Sequence, residues 1–183
     1  VPCVELRIVD DSGKEAPRDG RTMGEIEVRG PWIIGEYYND PRSPQSFHEG
    51  WFRTGDIATV DPYGYLHIQD RAKDVIKSGG EWVSSVELEN AIMGHPKVLE
   101  AAVIGIHHPK WEERPLACVV PRPEHKGSLT REEILDHLKP LFAKWWLPED
   151  VVFLDSIPKT SVGKFSKREL REQLKDYKLP GTA

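Results

Sequence analysis

The chain has 183 residues, 38% of them apolar, and its 15 glycines bring the sum to about 46%, the balance of an ordinary globular chain. That composition excludes a disordered tail, a collagen-like fibre and a coiled coil. A net charge of −5 and a pI near 5.8 exclude the basic footprint of a nucleic-acid-binding domain.

No stretch approaches the roughly 18 apolar residues of a membrane span, and the first residues do not read as a signal peptide. The two cysteines, Cys3 and Cys118, have neither metal-ligand nor redox spacing. A disulfide framework is therefore excluded, and a reducing, cytoplasmic setting is expected. Because the sequence starts at Val1 on what already reads as a strand, a piece of a longer protein is expected. Charge is uneven: residues 1–70 carry a net −6, residues 71–183 a net +1, and residues 156–183 a net +4. A cationic end on an acidic chain suits a phosphate or carboxylate ligand, or simply a solvated helix.

The first 70 residues predict strands and turns. Val4, Leu6 and Ile8 alternate with Glu5 and Arg7, the period of a half-buried strand. Residues 25–29 alternate again and stop at Gly30-Pro31. Residues 40–49, polar with two prolines, predict a loop or short helix. Trp51–Thr54 and Ile57–Val60 read as strand-like stretches around a tight turn at Gly55-Asp56. Asp61-Pro62-Tyr63-Gly64 is a strong turn signal, and Tyr65–Gln69 returns as the second arm of a hairpin. An antiparallel sheet or small distorted barrel is expected.

After Asp70 the pattern changes. Residues 74–83 predict a short hairpin around Gly79-Gly80. Ser84-Ser85-Val86-Glu87 fits a capping box that opens a helix to about Gly94. The apolar runs Ala101–Ile106 and Leu116–Val120 suit buried strands. Thr130–Glu133 is a second capping box, ahead of a helix whose Ile134, Leu135 and Leu138 share a face. Val151–Leu154 predicts another strand, and Ser166–Glu169 a third capping box and a last helix. The fold class is α+β: an antiparallel β subdomain over 1–70, then a small α/β domain.

Three segments could carry chemistry. In Gly50–Asp56 the carboxylate of Asp56, projecting from a turn, could accept two hydroxyl hydrogen bonds, or could simply cap the turn. Asp70–Gly80 lies where the strand-rich half ends. It reads either as a charged linker or as a joint that absorbs backbone rotation, with Arg71 able to fork to a hydroxyl or carboxylate. In Pro158–Phe165, Lys164 precedes a capped helix and could stabilise phosphate or carboxylate charge, or could sit on an ordinary surface loop. It is not a nucleotide-binding P-loop, since Phe165 follows the Gly-Lys pair. His107-His108 lack the partners of a metal site. Trp145-Trp146, at an expected helix end, suit a core or interface better than a ligand platform.

Together and in this order, the three segments resemble the C-terminal motifs of the AMP-forming acyl-CoA synthetases. The run 70–89, with Gly94-His95-Pro96, Pro109-Lys110-Trp111 and Glu113-Arg114-Pro115, is most similar to bacterial long-chain fatty-acid–CoA ligases. Relatives often carry Gly at position 70, and Asp70 favours the luciferase-like and fatty-acyl branches. The resemblance implies a ligase that joins a carboxylic acid to ATP, with Mg²⁺, and then passes the acyl group to CoA. It implies that Asp56 and Arg71 bind ribose, that Lys164 acts in adenylation, and that Lys77, Gly80 and Trp82 line the path of the CoA thiol. Lys73 falls at the hinge, which divides residues 1–70, the last β subdomain of a large adenylating domain, from a mobile domain over 75–183, with 71–74 between. No metal ligand is expected on this chain, and the chain alone is expected to be inactive. Its expected partners are ATP or AMP, CoA, a carboxylic acid and the missing N-terminal domain, with a second copy of the chain left open. Aryl- or short-acid ligases, carrier-loading adenylation domains and a non-catalytic module remain the alternatives.

Overall fold

The computed structural model describes residues 2–181, so Val1 lies outside it. The chain divides into two compact units, one ending at Lys73 and the other beginning at Asp74.

The first unit is a curled antiparallel sheet. Its strands are β1 (Glu5–Val9), β2 (Gly24–Arg29), β3 (Phe47–His48), β4 (Trp51–Val60) and β5 (Leu66–Arg71). β1 pairs with β2, and β2 with β4. β3 and β5 share the other edge of β4, at opposite halves of that ten-residue strand. The turn between β4 and β5 is the one its sequence dictates. Asp61 accepts from the Tyr63 and Tyr65 amides, and the Gly64 amide donates to the Asp61 carbonyl. A single turn of 3₁₀ helix, Ser43–Ser46, interrupts the polar segment ahead of β3.

One expectation is corrected here. Gly55-Asp56 is not a turn between two strands. β4 runs straight through it, with Gly55 at φ +73° and a register shift between Ile57 and Ala58. β2 buries charged side chains as well as apolar ones. Glu25 and Glu27 are buried, because Arg53 pairs with Glu25 while Arg7, 2.6 Å away, pairs with Glu27. The guanidiniums of Arg7 and Arg29 both pack on Trp51, each 4.4 Å from its ring centre. The apolar core of this unit is small: Ile8, Ile26 and Ala58, with Ala16, Val28 and Val60 packed against them.

The second unit is a sheet covered on both faces. Its elements are β6 (Ile76–Ser78), β7 (Glu81–Val83), α1 (Ser85–Met93), β8 (Val98–His108), β9 (Glu112–Pro121), α2 (Arg131–Leu138), β10 (Asp150–Phe153) and α3 (Lys167–Gln173). β8 and β9 form a long antiparallel ladder. β10 joins β9 in parallel, and β6 touches the start of β9 through the pair Ser78 and Glu112.

Ala101 and Val103 face one core with Leu88 and Ile92 of α1 and Ile134 and Leu138 of α2. Ala102 and Ile104 face the other, with Ile157, Leu170 of α3 and Leu179. Burial on both faces is why 101–106 is a continuous apolar run although its main pairing is antiparallel. The helix starts follow their caps. Ser84 accepts from the Glu87 amide, Thr130 and Glu133 form a complete capping box, and Ser166 accepts from the Glu169 amide. At Ser166 the returning Glu169 carboxylate accepts from the serine hydroxyl.

α3 is tied to the rest of the unit by charge. Lys167 reaches Glu89 at 2.8 Å and Ser85 at 2.6 Å, and Arg171 reaches Asp74 at 2.9 Å. The Glu89 carboxylate also accepts from the Val103 amide at 2.7 Å, so α1, β8 and α3 share one buried polar knot. Among the described residues no helix is long and apolar enough to cross a membrane.

Candidate functional site

In the first unit, Asp56 and Arg71 are cross-strand partners on β4 and β5, and their side chains pair at 2.8 Å. The positive φ of Gly55 and the register shift beside it make this meeting possible. Thr54 fixes the kink: its hydroxyl donates to the Ile26 carbonyl and accepts from the Asp56 amide at 3.1 Å. The Ala72 amide donates to the Gly55 carbonyl, which continues the pairing past Arg71. Both side chains keep surface, 28% for Asp56 and 56% for Arg71, so the carboxylate has lone pairs left for a ligand. Asp70, one residue earlier, is buried and accepts from the Arg71 amide at 2.8 Å.

In the second unit, Lys77, Gly80 and Trp82 lie on the β6–β7 hairpin. Ile76 and Val83, the outermost cross-strand pair, are fully buried and root it in the core. Lys77 faces Trp82 across the two strands, with its ammonium 5.3 Å from the indole centre. Gly79 and Gly80 both have positive φ and turn the chain at the exposed tip. The Lys77 amide donates to the Glu113 carboxylate at 3.1 Å, and the Gly79 amide to the Trp111 carbonyl at 2.9 Å.

Lys164 lies on a different turn. Lys159 and Phe165 form an isolated bridge, Gly163 has φ +80°, and the Thr160 hydroxyl accepts from the Lys164 amide. The Lys164 side chain is exposed. Lys159 anchors this turn to Glu100, near the start of β8, at 2.5 Å. The hairpin of Lys77 is anchored instead at Glu113, whose partner across the ladder is His107. The two anchors are thus seven residues apart along β8, roughly 24 Å at about 3.4 Å per residue. The turn that carries Lys164 is tied near the start of β8, and the hairpin that carries Lys77 near its end. Lys73, the last residue of the first unit, is exposed.

Residues not singled out as site candidates from sequence gather beside the hairpin. A groove of about 550 Å³ is lined by Ser78, Gly79, Trp111, Arg114, Lys144 and Trp145 among others. Arg114 is buried and donates to the Ser78 hydroxyl, the Trp145 and Leu147 carbonyls and the Glu149 carboxylate. Charge in an otherwise apolar strand, 112–121, was the available signal for it. Trp145 and Trp146 are not at a helix end but in turns beyond Leu138. Trp146 stacks on Phe142 at 5.6 Å, whereas Trp145 opens onto the groove.

Residues 87–164 match the AMP-binding enzyme C-terminal domain. Over 180 residues, 97% of the chain, the sequence is 57% identical to a long-chain-fatty-acid–CoA ligase of Thermus thermophilus, and it covers 33% of that protein. The chain belongs to the AMP-forming acyl-CoA synthetases. Among other synthetases it is 50% identical, over 94% of its length, to a 3-methylmercaptopropionyl-CoA ligase of Ruegeria lacuscaerulensis, of which it covers 32%. The fold matches ATP-bound MatB from Rhodopseudomonas palustris with a TM-score of 0.82 at 38% identity, covering 97% of this chain and 35% of that one. The chain therefore spans about a third of the length of the synthetases it matches.

Proposed function

We propose that this chain is the C-terminal part of an acid–thiol ligase that activates a fatty acid with ATP and transfers the acyl group to CoA. In the first step a carboxylate oxygen bonds to the α-phosphorus and pyrophosphate leaves. In the second the CoA sulfur bonds to the acyl carbon, its proton is lost and AMP leaves.

Asp56 accepts from the ribose hydroxyls, with Arg71 beside it. Lys164 stabilises charge building between carboxylate and phosphate in the first step. Lys77, with Gly80 and Trp82, lines the thiol's approach in the second. Residues 71–74, with Lys73 as the pivot, join a β subdomain over 1–70 to a mobile domain over 75–183.

The observation that supports two steps with two poses is the separation of the lysine anchors along β8. One rigid ladder cannot bring both ends to the same reacting carbon at once, so each lysine needs its own orientation of the domain. Fatty acid as the substrate class rests on the similarity to a long-chain ligase. Mg²⁺ accompanies ATP in such chemistry, but among the described residues no three His, Cys, Asp or Glu side chains converge as a ligand set. This chain's residues do not fit a Mg²⁺ site, and no step is assigned to the ion.

The test uses the full-length enzyme, with ATP–pyrophosphate exchange and acyl-CoA release measured over fatty, aryl and short acids. Fatty acids are expected to support both, and a preference for aryl acids overturns the substrate class. Lys73→Pro, which fixes φ near −65° and removes an amide, is expected to keep exchange and lose acyl-CoA release. Wild-type release from that variant overturns the pivot. The chain alone is expected to show no exchange.

A further inference from the structure

Glu113 has no place in the chemistry above, yet it holds the strand that carries Lys77. It faces the same side of the β8–β9 ladder as His107, its cross-strand partner, and Gly105, the diagonal neighbour. Its carboxylate lies across Gly105: a Cβ built there would sit 2.8 Å from Oε2 and 2.9 Å from the carboxyl carbon. Glycine inside a strand weakens it, and its usual justification is the close approach of another group. Here that group is a carboxylate, and Oε2 receives the Lys77 amide at 3.1 Å.

The surrounding geometry serves the same placement. Glu112, at φ +69°, ends the turn in a left-handed conformation. Trp111 offers its carbonyl to Gly79, Ser78 pairs with Glu112, and Arg114 holds the Ser78 hydroxyl at 3.0 Å. β6 meets β9 at the Ser78–Glu112 pair, and one residue earlier the Glu113 carboxylate accepts from the Lys77 amide.

We propose that Glu113 is a positioning residue for the thioester-forming step: its carboxylate, admitted by the bare Cα of Gly105, fixes the backbone at Lys77 and so the direction of the lysine and of Trp82 opposite it. This rests on the reading of Lys77 as a thioester-step residue. A misplacement of about 1 Å in such a group costs on the order of a hundredfold in rate. Adenylation, assigned to the far end of the ladder, should be untouched.

The test compares Glu113→Ala, Glu113→Gln, Gly105→Ala and Lys77→Ala in the full-length enzyme. Glu113→Ala and Gly105→Ala are expected to slow CoA-dependent release from supplied acyl-adenylate by ten- to a hundredfold, with ATP–pyrophosphate exchange within about twofold of wild type. Glu113→Gln keeps an acceptor oxygen and should restore most of the release rate. Equal loss in both half-reactions, or a glutamine variant as slow as the alanine variant, overturns the proposal. Slow release in Lys77→Ala with normal release in Glu113→Ala overturns it alone. Normal release in Lys77→Ala overturns the reading of Lys77 and the proposal with it. Amide hydrogen exchange gives an independent check on folded protein: exchange at Lys77 should rise in Glu113→Ala and Gly105→Ala while Ile76 and Val83 stay protected. Unchanged exchange at Lys77 also overturns it.

Discussion

The two units solve the same problem, burying a sheet, in different ways. The second covers both faces of its ladder with helices and loops, and residues such as Leu88, Ile92, Ile134 and Leu138 are fully buried. The first has a smaller apolar cluster around Ile8, Ile26 and Ala58, exposes Trp32, Tyr38, Tyr63 and Ile68, and buries two carboxylates against arginines. A two-sided core resists deformation, and groups fixed to its ends keep their separation when the unit moves as a body. A one-sided sheet held by ion pairs and a bulge can instead shape a local cradle, as at Asp56 and Arg71. The difference suits the proposed roles: the second unit ties the Lys164 turn and the Lys77 hairpin to separate points of one ladder, and the first brings Asp56 and Arg71 together across two strands.

Substitutions can break that contrast. Leu138→Ala in the second core should cost about 2–5 kcal/mol, the range for truncating a fully buried leucine. Hydrogen exchange should show the loss in β8, β9 and the helices while β1–β5 keep their protection. A loss shared equally by both sheets contradicts two separate cores. Glu27→Ala should be the counterpart in the first unit. It strips the partner from Arg7 and should cost about 1–3 kcal/mol, seen as faster exchange in β1 and β2. Little change there would mean that the ion pairs are dispensable.

Titration should sharpen the contrast at its small end. Burial and the 2.5 Å bond to Asp150 push the Tyr177 hydroxyl up to about 12. Its folded value is raised, so its contribution is complete below about 10, its unfolded value, and is lost as pH rises toward 12. Tyr177→Phe should remove roughly 1 kcal/mol from the second unit and flatten that alkaline limb. In the first unit, the amides of Arg21 and Thr22 and the Thr22 hydroxyl lower Asp19 to about 2. Its contribution is present above its unfolded value near 3.8 and is lost as pH falls toward 2. Asp19→Asn should therefore flatten an acid limb in β2 and β4 only.

The second unit was the more legible of the two in sequence. Its caps at Ser84, Thr130 and Ser166 are local signals, and its two-sided strands read as apolar runs. The first unit misled where tertiary pairing overrode local pattern. Glu25 and Glu27 look solvent-facing until Arg53 and Arg7 arrive from other strands, and Gly55 looks like a turn until β5 pairs across it. Asp56, Arg71, Lys77 and Lys164 were visible as residue types in motifs. The Asp56–Arg71 contact, the Glu113 bond to the hairpin and the four partners of Arg114 were not, because each joins residues 15 or more positions apart.

The most direct test of the two-ended ladder measures both half-reactions on Lys164→Ala and Lys77→Ala side by side in the full-length enzyme. Lys164→Ala should lose on the order of 10²–10³ in pyrophosphate exchange and keep acyl-CoA release from supplied acyl-adenylate, and Lys77→Ala should do the reverse. If either variant loses both half-reactions alike, the two lysines do not serve separate steps, and the division of labour between the ends of the ladder is contradicted.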